Sequence, residues 1–279
     1  MIGLPGTFAL QLRIAVAALA LVALGACTTV NPVKPRVRVE TTPETASAAN
    51  IESLTTVIAS NPRDPSGYNV RGSAFAQAGR YKEALRDFNT AIEIDPGFSA
   101  AYSNRALLYR SQGKTARALE DYNRAIQANP GYPPAYIGRG NVYRLEGRSD
   151  LALADYNAAI RLDSTDAQAY HNRGLVYQSL GQHQQAIVDF TRAIGISPLT
   201  AAPYNGRGLS YLATGDSKTA LDDFNEAIKR DRSDAKAWVN QGLALEQLGD
   251  RKEAFAAFAR AANLNPRLKP ARAGMKRTG

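Results

Sequence analysis

The chain has 279 residues and a formal net charge of +9, with 34 Lys and Arg against 25 Asp and Glu. Its single cysteine excludes an internal disulfide framework. Its two histidines, His171 and His183, lack acidic neighbours at metal-ligand spacing, and no phosphate-binding glycine loop or metalloprotease motif is present. We therefore expect no enzyme, no metal site and no cofactor.

The first 26 residues have the pattern of an export signal. Arg13 precedes an apolar run at 14–24 that is too short to span a bilayer but suits a signal peptide. Residues 24–27 read Leu-Gly-Ala-Cys, which resembles the lipobox of bacterial lipoproteins. The resemblance implies that 1–26 is removed and that Cys27 is lipidated. The alternative is an ordinary signal peptide with an unrelated cysteine.

The residue after the cysteine bears on location. In lipoproteins of two-membrane bacteria, a residue other than aspartate there implies export to the outer membrane, and this chain has Thr28. The resemblance therefore implies a protein lipid-anchored at the periplasmic face of the outer membrane, or at the cell membrane in a single-membrane organism.

Two short segments follow the cysteine. Residues 27–46 are rich in Thr, Val and Pro, a composition that predicts a disordered tether. Residues 47–62 place Leu54 and Val57 at the spacing of a buried helix face, and we predict a lone N-terminal capping helix, the remainder of a leading half-repeat.

From residue 65 onward, one pattern returns every 34 residues, and we number each unit from its own first residue. Position 4 is aromatic in all six units: Tyr68, Tyr102, Tyr136, Tyr170, Tyr204 and Trp238. Position 15 is always glycine, positions 20 and 27 are always alanine, and position 24 is always aromatic. This resembles the tetratricopeptide repeat, whose signature is W-x2-L-G-x2-Y, then A-x3-F, then P. The predicted units are 65–98, 99–132, 133–166, 167–200, 201–234 and 235–266.

The spacing predicts two amphipathic helices in each unit. Positions 4, 7, 8 and 11 share one face of a first helix, and positions 20, 24 and 27 share one face of a second. Glycine at position 15 ends the first helix. One such hairpin cannot bury enough apolar surface alone, so stacking is required. We expect an all-α fold, a right-handed superhelical α-solenoid of six helical hairpins with a leading half-repeat.

The C-terminal segment, 267–279, is basic, with five Lys or Arg residues and no carboxylate. Such a segment can meet anionic lipid headgroups, an acidic cell-wall polymer or an acidic partner. The alternative is a solvated capping helix with a frayed end.

Two positions change together along the array. Position 7 is arginine and position 23 is aspartate in five units, and both change in the sixth, to Gln241 and Ala257. We predict structural ion pairs, within a unit or between neighbours, with a charged ladder facing a ligand as the alternative. The pairs are Arg71 with Asp87, Arg105 with Asp121, Arg139 with Asp155, Arg173 with Asp189, and Arg207 with Asp223.

A binding surface is expected on the first helices, on the face opposite the second helices. Positions 2, 5, 6, 9, 12 and 13 line this surface, the concave groove, and carry amides, two cations and several leucines. This mixture suits an extended peptide or a helix of another protein. The leucines could instead serve only to pack adjacent helices. The candidate groove residues are Asn104, Arg110, Asn141, Arg144, His171, Asn172, Gln178, Asn205 and Asn240.

The layout of lipobox, tether and repeat array resembles bacterial envelope lipoproteins, especially those that scaffold cell-wall hydrolases and a periplasmic protease. The resemblance implies a membrane-anchored, non-enzymatic adaptor whose partners are envelope proteins such as hydrolases, proteases or secretion components. The alternative is a structural assembly factor, pilotin-like or accessory to outer-membrane insertion. We expect no nucleic-acid partner, and any homodimer is expected to form through the leading half-unit.

Overall fold

The computed structural model describes residues 48–279. The predicted signal peptide, the lipidated Cys27 and the tether at 27–46 lie outside the described residues. Over 48–279 the secondary structure is fourteen α-helices without a strand. No helix in this part of the chain has both the length and the apolar character needed to cross a bilayer.

The helices alternate between a first helix of 13 residues and a second helix of 14 residues in each of the six units. A lone helix precedes the units and another follows them. The helices are α1 Ala48–Ser60, α2 Pro65–Gln77, α3 Tyr81–Ile94, α4 Ser99–Ser111, α5 Thr115–Ala128, α6 Pro133–Leu145, α7 Ser149–Leu162, α8 Ala167–Ser179, α9 His183–Ile196, α10 Ala201–Ala213, α11 Ser217–Arg230, α12 Ala235–Gln247, α13 Arg251–Leu264 and α14 Lys269–Thr278.

The turn inside each hairpin depends on the glycine at position 15. In all six units this glycine has φ between 71° and 87°, a left-handed conformation that costs glycine nothing and a side chain with a Cβ about 1–2 kcal/mol. In the first unit, the amide of Arg80 bonds the carbonyl of Phe75 at 2.8 Å, which closes the helix end around Gly79. The sharp reversal then lays the second helix against the first.

Small and aromatic side chains build the core between the helices of a unit. The alanines at positions 20 and 27 are buried, and the aromatic ring at position 24 lies between them. Position 8 is glycine in five units and Ala106 in the second. Where it is glycine the ring packs on bare backbone, since a Cβ added at Gly140 would stand 2.9 Å from Cε1 of Tyr156. The helix faces expected from the spacing therefore pack against each other in the structure, through positions 8, 20, 24 and 27. The fold is the predicted α-solenoid.

The two end helices close the stack. In α1, Ile51 and Ile58 are buried and Leu54 packs beside them, whereas Val57 is 57% exposed. The inward stripe therefore includes Leu54 as predicted but not Val57, because the face turned to α2 runs through 51, 54 and 58. Residues 269–278 form α14, which packs on α13 and α12.

Candidate functional site

The arginines at position 7 each hold the aspartate at position 23 of their own unit. In every pair, Nε and Nη2 donate to the two carboxylate oxygens at 2.7–2.9 Å. The aspartate side chains are only 3–8% exposed. Such hydrogen bonds raise the pKa of the guanidinium, as the bond to Asp155 does for Arg139. Both charges of each pair are thus satisfied inside the protein.

The same arginines reach the preceding unit through a third contact that sequence reasoning missed. The remaining nitrogen, Nη1, donates to the side chain at position 25 of the previous second helix at 2.5–3.2 Å. The signal was present in the sequence, because position 25 is asparagine or threonine at every one of these steps. The acceptors are Thr55, Asn89, Asn123, Asn157 and Thr191.

The sixth unit keeps only part of this arrangement. Gln241 replaces the arginine and donates to Asn225 of the preceding unit at 2.7 Å. Its own unit has Ala257 and Ala259 at positions 23 and 25. The contact between units therefore persists where the charge pair does not, and it ends where the following helix, α14, brings Met275 to position 7. We call this series of contacts the arginine ladder.

Several candidate groove amides join neighbouring first helices. Asn104 donates to Oδ1 of Asn69, and Asn240 donates to Oδ1 of Asn205, each at 2.9 Å. Gln178 donates to the hydroxyl of Ser210 and to a backbone carbonyl of α10, both at 2.9 Å. All five amides bond within the protein and bridge consecutive units; four of them, Asn104, Gln178, Asn205 and Asn240, were predicted as ligand contacts.

The middle of the groove contains a cavity with both polar and apolar lining residues. Asn104, Arg110 and Asn141 line a cavity of about 210 Å³, together with Tyr122 and Leu107. The buried ring of Tyr122 packs over the backbone of Gly138, where an added Cβ would stand 2.2 Å from Cε1 of the ring. Burial raises the pKa of Tyr122 to about 12, so its hydroxyl stays protonated at neutral pH.

The next unit repeats the combination of an arginine at position 12 with a tyrosine at position 24. Tyr156 donates to Oδ1 of Asn141 at 2.8 Å, and burial raises its pKa to about 12. The charge of Arg144, a hydrogen bond between its guanidinium group and this hydroxyl, and the charge of Arg110 all oppose that rise in pKa. Arginine and tyrosine occur together at these positions in units two and three alone; the other four units have phenylalanine at position 24.

Three first-helix side chains of units three and four have a buried polar atom without a hydrogen-bond partner. Within the described residues, Nε of Arg144, Nδ1 of His171 and Nδ2 of Asn172 are buried and form no hydrogen bond. Burial, reinforced by the charge of Arg144, lowers the pKa of His171 to about 4. His171 is therefore neutral at pH 7. A fourth such atom, Nδ1 of His183, is on a second helix.

The leucines at position 9 divide into two kinds. Leu209 and Leu243 pack against the core, but Leu107 is 47% exposed on the groove surface. No group of His, Cys, Asp and Glu in residues 48–279 is arranged to hold a metal ion. The groove around units two and three thus combines two half-buried arginines, Arg110 and Arg144, with one exposed leucine, Leu107.

Protein-family models described as TPR or tetratricopeptide repeats match most of the array. The matched residues are 72–113 and 140–181 for one model, and 99–132, 165–233 and 205–273 for three others. The search of curated proteins found no match.

Solved structures with the same architecture are numerous. The crystal structure of the APC/C hetero-tetramer Cut9-Hcn1 aligns with a TM-score of 0.72 at 19% identity over 84% of this chain. This chain spans only 47% of the length of that relative. PilF of Pseudomonas aeruginosa aligns with a TM-score of 0.70 at 16% identity, over 76% of this chain and 97% of its own. At these identities the likeness establishes the fold alone.

A third structure is nearer in sequence. YrrB, a TPR protein with an unusual peptide-binding site, is 25% identical and aligns with a TM-score of 0.56. The alignment covers 68% of this chain and 97% of YrrB.

Proposed function

The chain belongs to the tetratricopeptide-repeat family, whose members mediate protein–protein interactions, and on this premise we propose that it is a non-enzymatic scaffold binding peptides or helices of partner proteins in its concave groove. The observation that carries the proposal is the contrast between two sets of arginines. Those of the arginine ladder are saturated by internal partners, whereas Arg110 and Arg144 form no ion pair among residues 48–279. YrrB, which has a peptide-binding site, supports the same reading.

The proposed scaffold is attached to the bacterial envelope through Cys27. The lipobox-like sequence before this residue and the proline-containing tether after it support the attachment. Lipid chains contribute about 0.8 kcal/mol per buried CH2, so a multiply acylated N-terminus anchors stably without a spanning helix. The partners are then envelope proteins, including cell-wall hydrolases, proteases or secretion components, and tethering raises their local concentration at the membrane.

A structural assembly factor is the second candidate. A pilotin-like protein or an accessory of outer-membrane insertion would hold one subunit of a larger machine rather than recruit several partners. PilF, with the same architecture, shares only the fold with this chain at 16% identity. The two candidates differ in the number of partners that one groove receives.

Site-specific photo-crosslinking in intact cells tests the groove. A photoreactive residue replaces Leu107 in the groove, and the matched control replaces Val188, which is 68% exposed on a second helix. We expect protein crosslinks from position 107 and few from position 188. Crosslinks from position 107 to several different proteins would favour the adaptor, and crosslinks to a single protein would favour the assembly factor. Crosslinks from position 188 alone would contradict a groove site.

The anchor requires a separate experiment. The Cys27→Ala variant is expected to lose incorporation of radiolabelled palmitate and to leave the membrane fraction, because its thiol is the proposed attachment atom. A variant that still pellets with membranes and still takes up label would contradict the lipid anchor.

A further inference from the structure

We propose that the C-terminal end of the solenoid is a second interaction surface, which binds the anionic headgroups of a phospholipid membrane. The surface consists of Lys269, Arg272 and Lys276 on the exposed side of α14, together with the ring of Phe255 on α13, and we call it the terminal face. Its three cations occupy positions 1, 4 and 8 of a first helix, which are not groove positions. The inference therefore goes beyond the proposed function and does not depend on it.

Positive charge is concentrated at this end of the array. Residues 48–266 contain 25 Lys and Arg against 23 Asp and Glu, a net charge of +2, whereas residues 267–279 alone contribute +5. No Asp or Glu follows Glu253 in the sequence. A short segment with charge of one sign attracts a surface of the opposite sign.

The cations of the terminal face have no counterion within the described residues. Arg277 is different, because its guanidinium group donates to both carboxylate oxygens of Glu246 at 2.7 Å. Lys269, Arg272 and Lys276 form no ion pair within residues 48–279, and all three are exposed. Their charges are therefore available to an external anion.

The repeat register argues against another repeat helix as the occupant of this face. In the six units, position 4 is aromatic and position 8 is glycine or alanine, but in α14 these positions are Arg272 and Lys276. A lysine at position 8 is too long for the close helix approach that glycine or alanine permits there. The three cations are spaced i, i+3 and i+7, which places them on one side of the helix within about 10 Å.

An exposed aromatic ring at the same end favours a membrane over a soluble acidic polymer. Phe255 is 38% exposed, and a Cβ added at Gly279 would stand 3.0 Å from its Cε2. The ring therefore lies at the C-terminal end of α14. A soluble polyanion gains little from such a ring, whereas phenylalanine beside Lys and Arg is the combination that inserts at the boundary between lipid headgroups and acyl chains.

The test places a polarity-sensitive fluorophore, acrylodan, on the terminal face of the full-length chain. All samples carry Cys27→Ser, so that no acyl chain is attached and the introduced cysteine is the only thiol. The label is attached at Ala273→Cys, exposed on α14, or at Val188→Cys, the control site on α9. Each protein is titrated with vesicles of phosphatidylcholine alone and with vesicles of an equal mixture of phosphatidylcholine and phosphatidylglycerol. Because the label is local, contact between the N-terminal segment and lipid does not change its emission.

A charge variant and a matched control separate the terminal face from the net charge of the protein. The charge variant is Lys269→Gln/Arg272→Gln/Lys276→Gln. The control removes two lysines and one arginine from exposed sites on three second helices, and is Lys82→Gln/Arg124→Gln/Lys218→Gln. Circular dichroism checks that both remain folded.

We expect the emission from position 273 to shift to shorter wavelength with the phosphatidylglycerol mixture and to stay unchanged with phosphatidylcholine alone. Each cation near an anionic membrane strengthens binding about fivefold, so the charge variant should bind about a hundredfold more weakly while the control binds as before. Added salt should weaken binding, and the label at position 188 should not respond.

Equal shifts with both kinds of vesicle, or an undiminished shift in the charge variant, would overturn the proposal. Binding of soluble polyglutamate without any response to vesicles would also overturn it, and would replace the membrane by an acidic polymer. None of these results bears on the groove, which the crosslinks from position 107 test separately.

Discussion

At the scale of single residues, the arginine at position 7 shows why a repeat can depart from its family signature. The signature has leucine there, but this chain places a guanidinium whose three nitrogens bond two helices at once. Buried pairs are not intrinsically more stable than apolar packing, yet removing one partner leaves the other charge buried and unpaired. The arginine and the aspartate of a pair should therefore be less costly to replace together than singly.

The buried pair of the fourth unit predicts an order of stability among its variants. Arg173→Gln leaves the carboxylate of Asp189, whose side chain is 3% exposed, without a counterion and should cost about 3 kcal/mol of the free energy of unfolding. Arg173→Gln/Asp189→Ala reproduces the pattern of unit six and should cost about 1 kcal/mol. Urea unfolding measures both. A double variant that is less stable than the single one would refute the role given to the pair.

His171 predicts a dependence of stability on pH. Burial lowers its pKa to about 4 in the folded protein, against 6.5 for the unfolded chain. As pH falls below about 6.5, the unfolded chain gains a proton that the folded protein accepts only near pH 4. Stability is therefore lost over this interval, by about 2–3 kcal/mol. The contribution is fully present above pH 6.5.

Melting curves between pH 7.5 and 4.5 check this expectation. His171→Gln should flatten the acid-side loss, and His183→Gln serves as the matched control. Parallel pH profiles for wild type and His171→Gln would show that the buried imidazole is not the group responsible.

At the scale of helices, the close approach of α6 to the second helices on either side of it, α5 and α7, depends on one glycine for each neighbour. Gly138 lies under the ring of Tyr122 and Gly140 under that of Tyr156. Each glycine lowers the helix propensity by about 1 kcal/mol relative to alanine, and the packing contacts of the rings offset this cost.

Two alanine substitutions should therefore have opposite signs. Gly138→Ala forces a Cβ to within 2.2 Å of the Tyr122 ring and should destabilise by about 1–3 kcal/mol. Gly195→Ala in α9 meets nothing within 4 Å and should stabilise by about 0.5–1 kcal/mol. Thermal denaturation of the two variants compares them directly. Equal effects of Gly138→Ala and Gly195→Ala on stability would contradict the role given to the Tyr122 ring.

The sequence was sufficient for helices and insufficient for several side-chain contacts. The 34-residue period determines where helices begin and end, since Gly79 and its equivalents set the turns. The buried stripe of α1 was harder, because a terminal helix packs on one side only and its register shifts away from Val57. The bonds of Asn104 and Asn240 depend on the rotation of one unit relative to the next, a quantity that periodicity does not contain.

At the scale of the whole array, stability accumulates from neighbour to neighbour, so damage should remain local. Deleting 267–279 removes α14, whose Gly274 lies against the fully buried ring of Phe258. Exposing that ring costs about 1.5–3 kcal/mol. Hydrogen exchange should accelerate in α12 and α13 and remain unchanged in α4 to α7. Uniform acceleration along the array would instead indicate a single cooperative unit.

The arginine ladder also makes the joints of the solenoid interchangeable. Each contact between consecutive units from one to five uses the arginine at position 7 of the later unit as donor. The acceptor is an asparagine or threonine at position 25 of the earlier unit, so every internal unit presents the same kind of donor and acceptor. The length of the molecule is then adjustable in whole units of 34 residues, by duplication or excision, without redesign of a joint. Diversification is left to the groove, where each module is free to carry its own side chains.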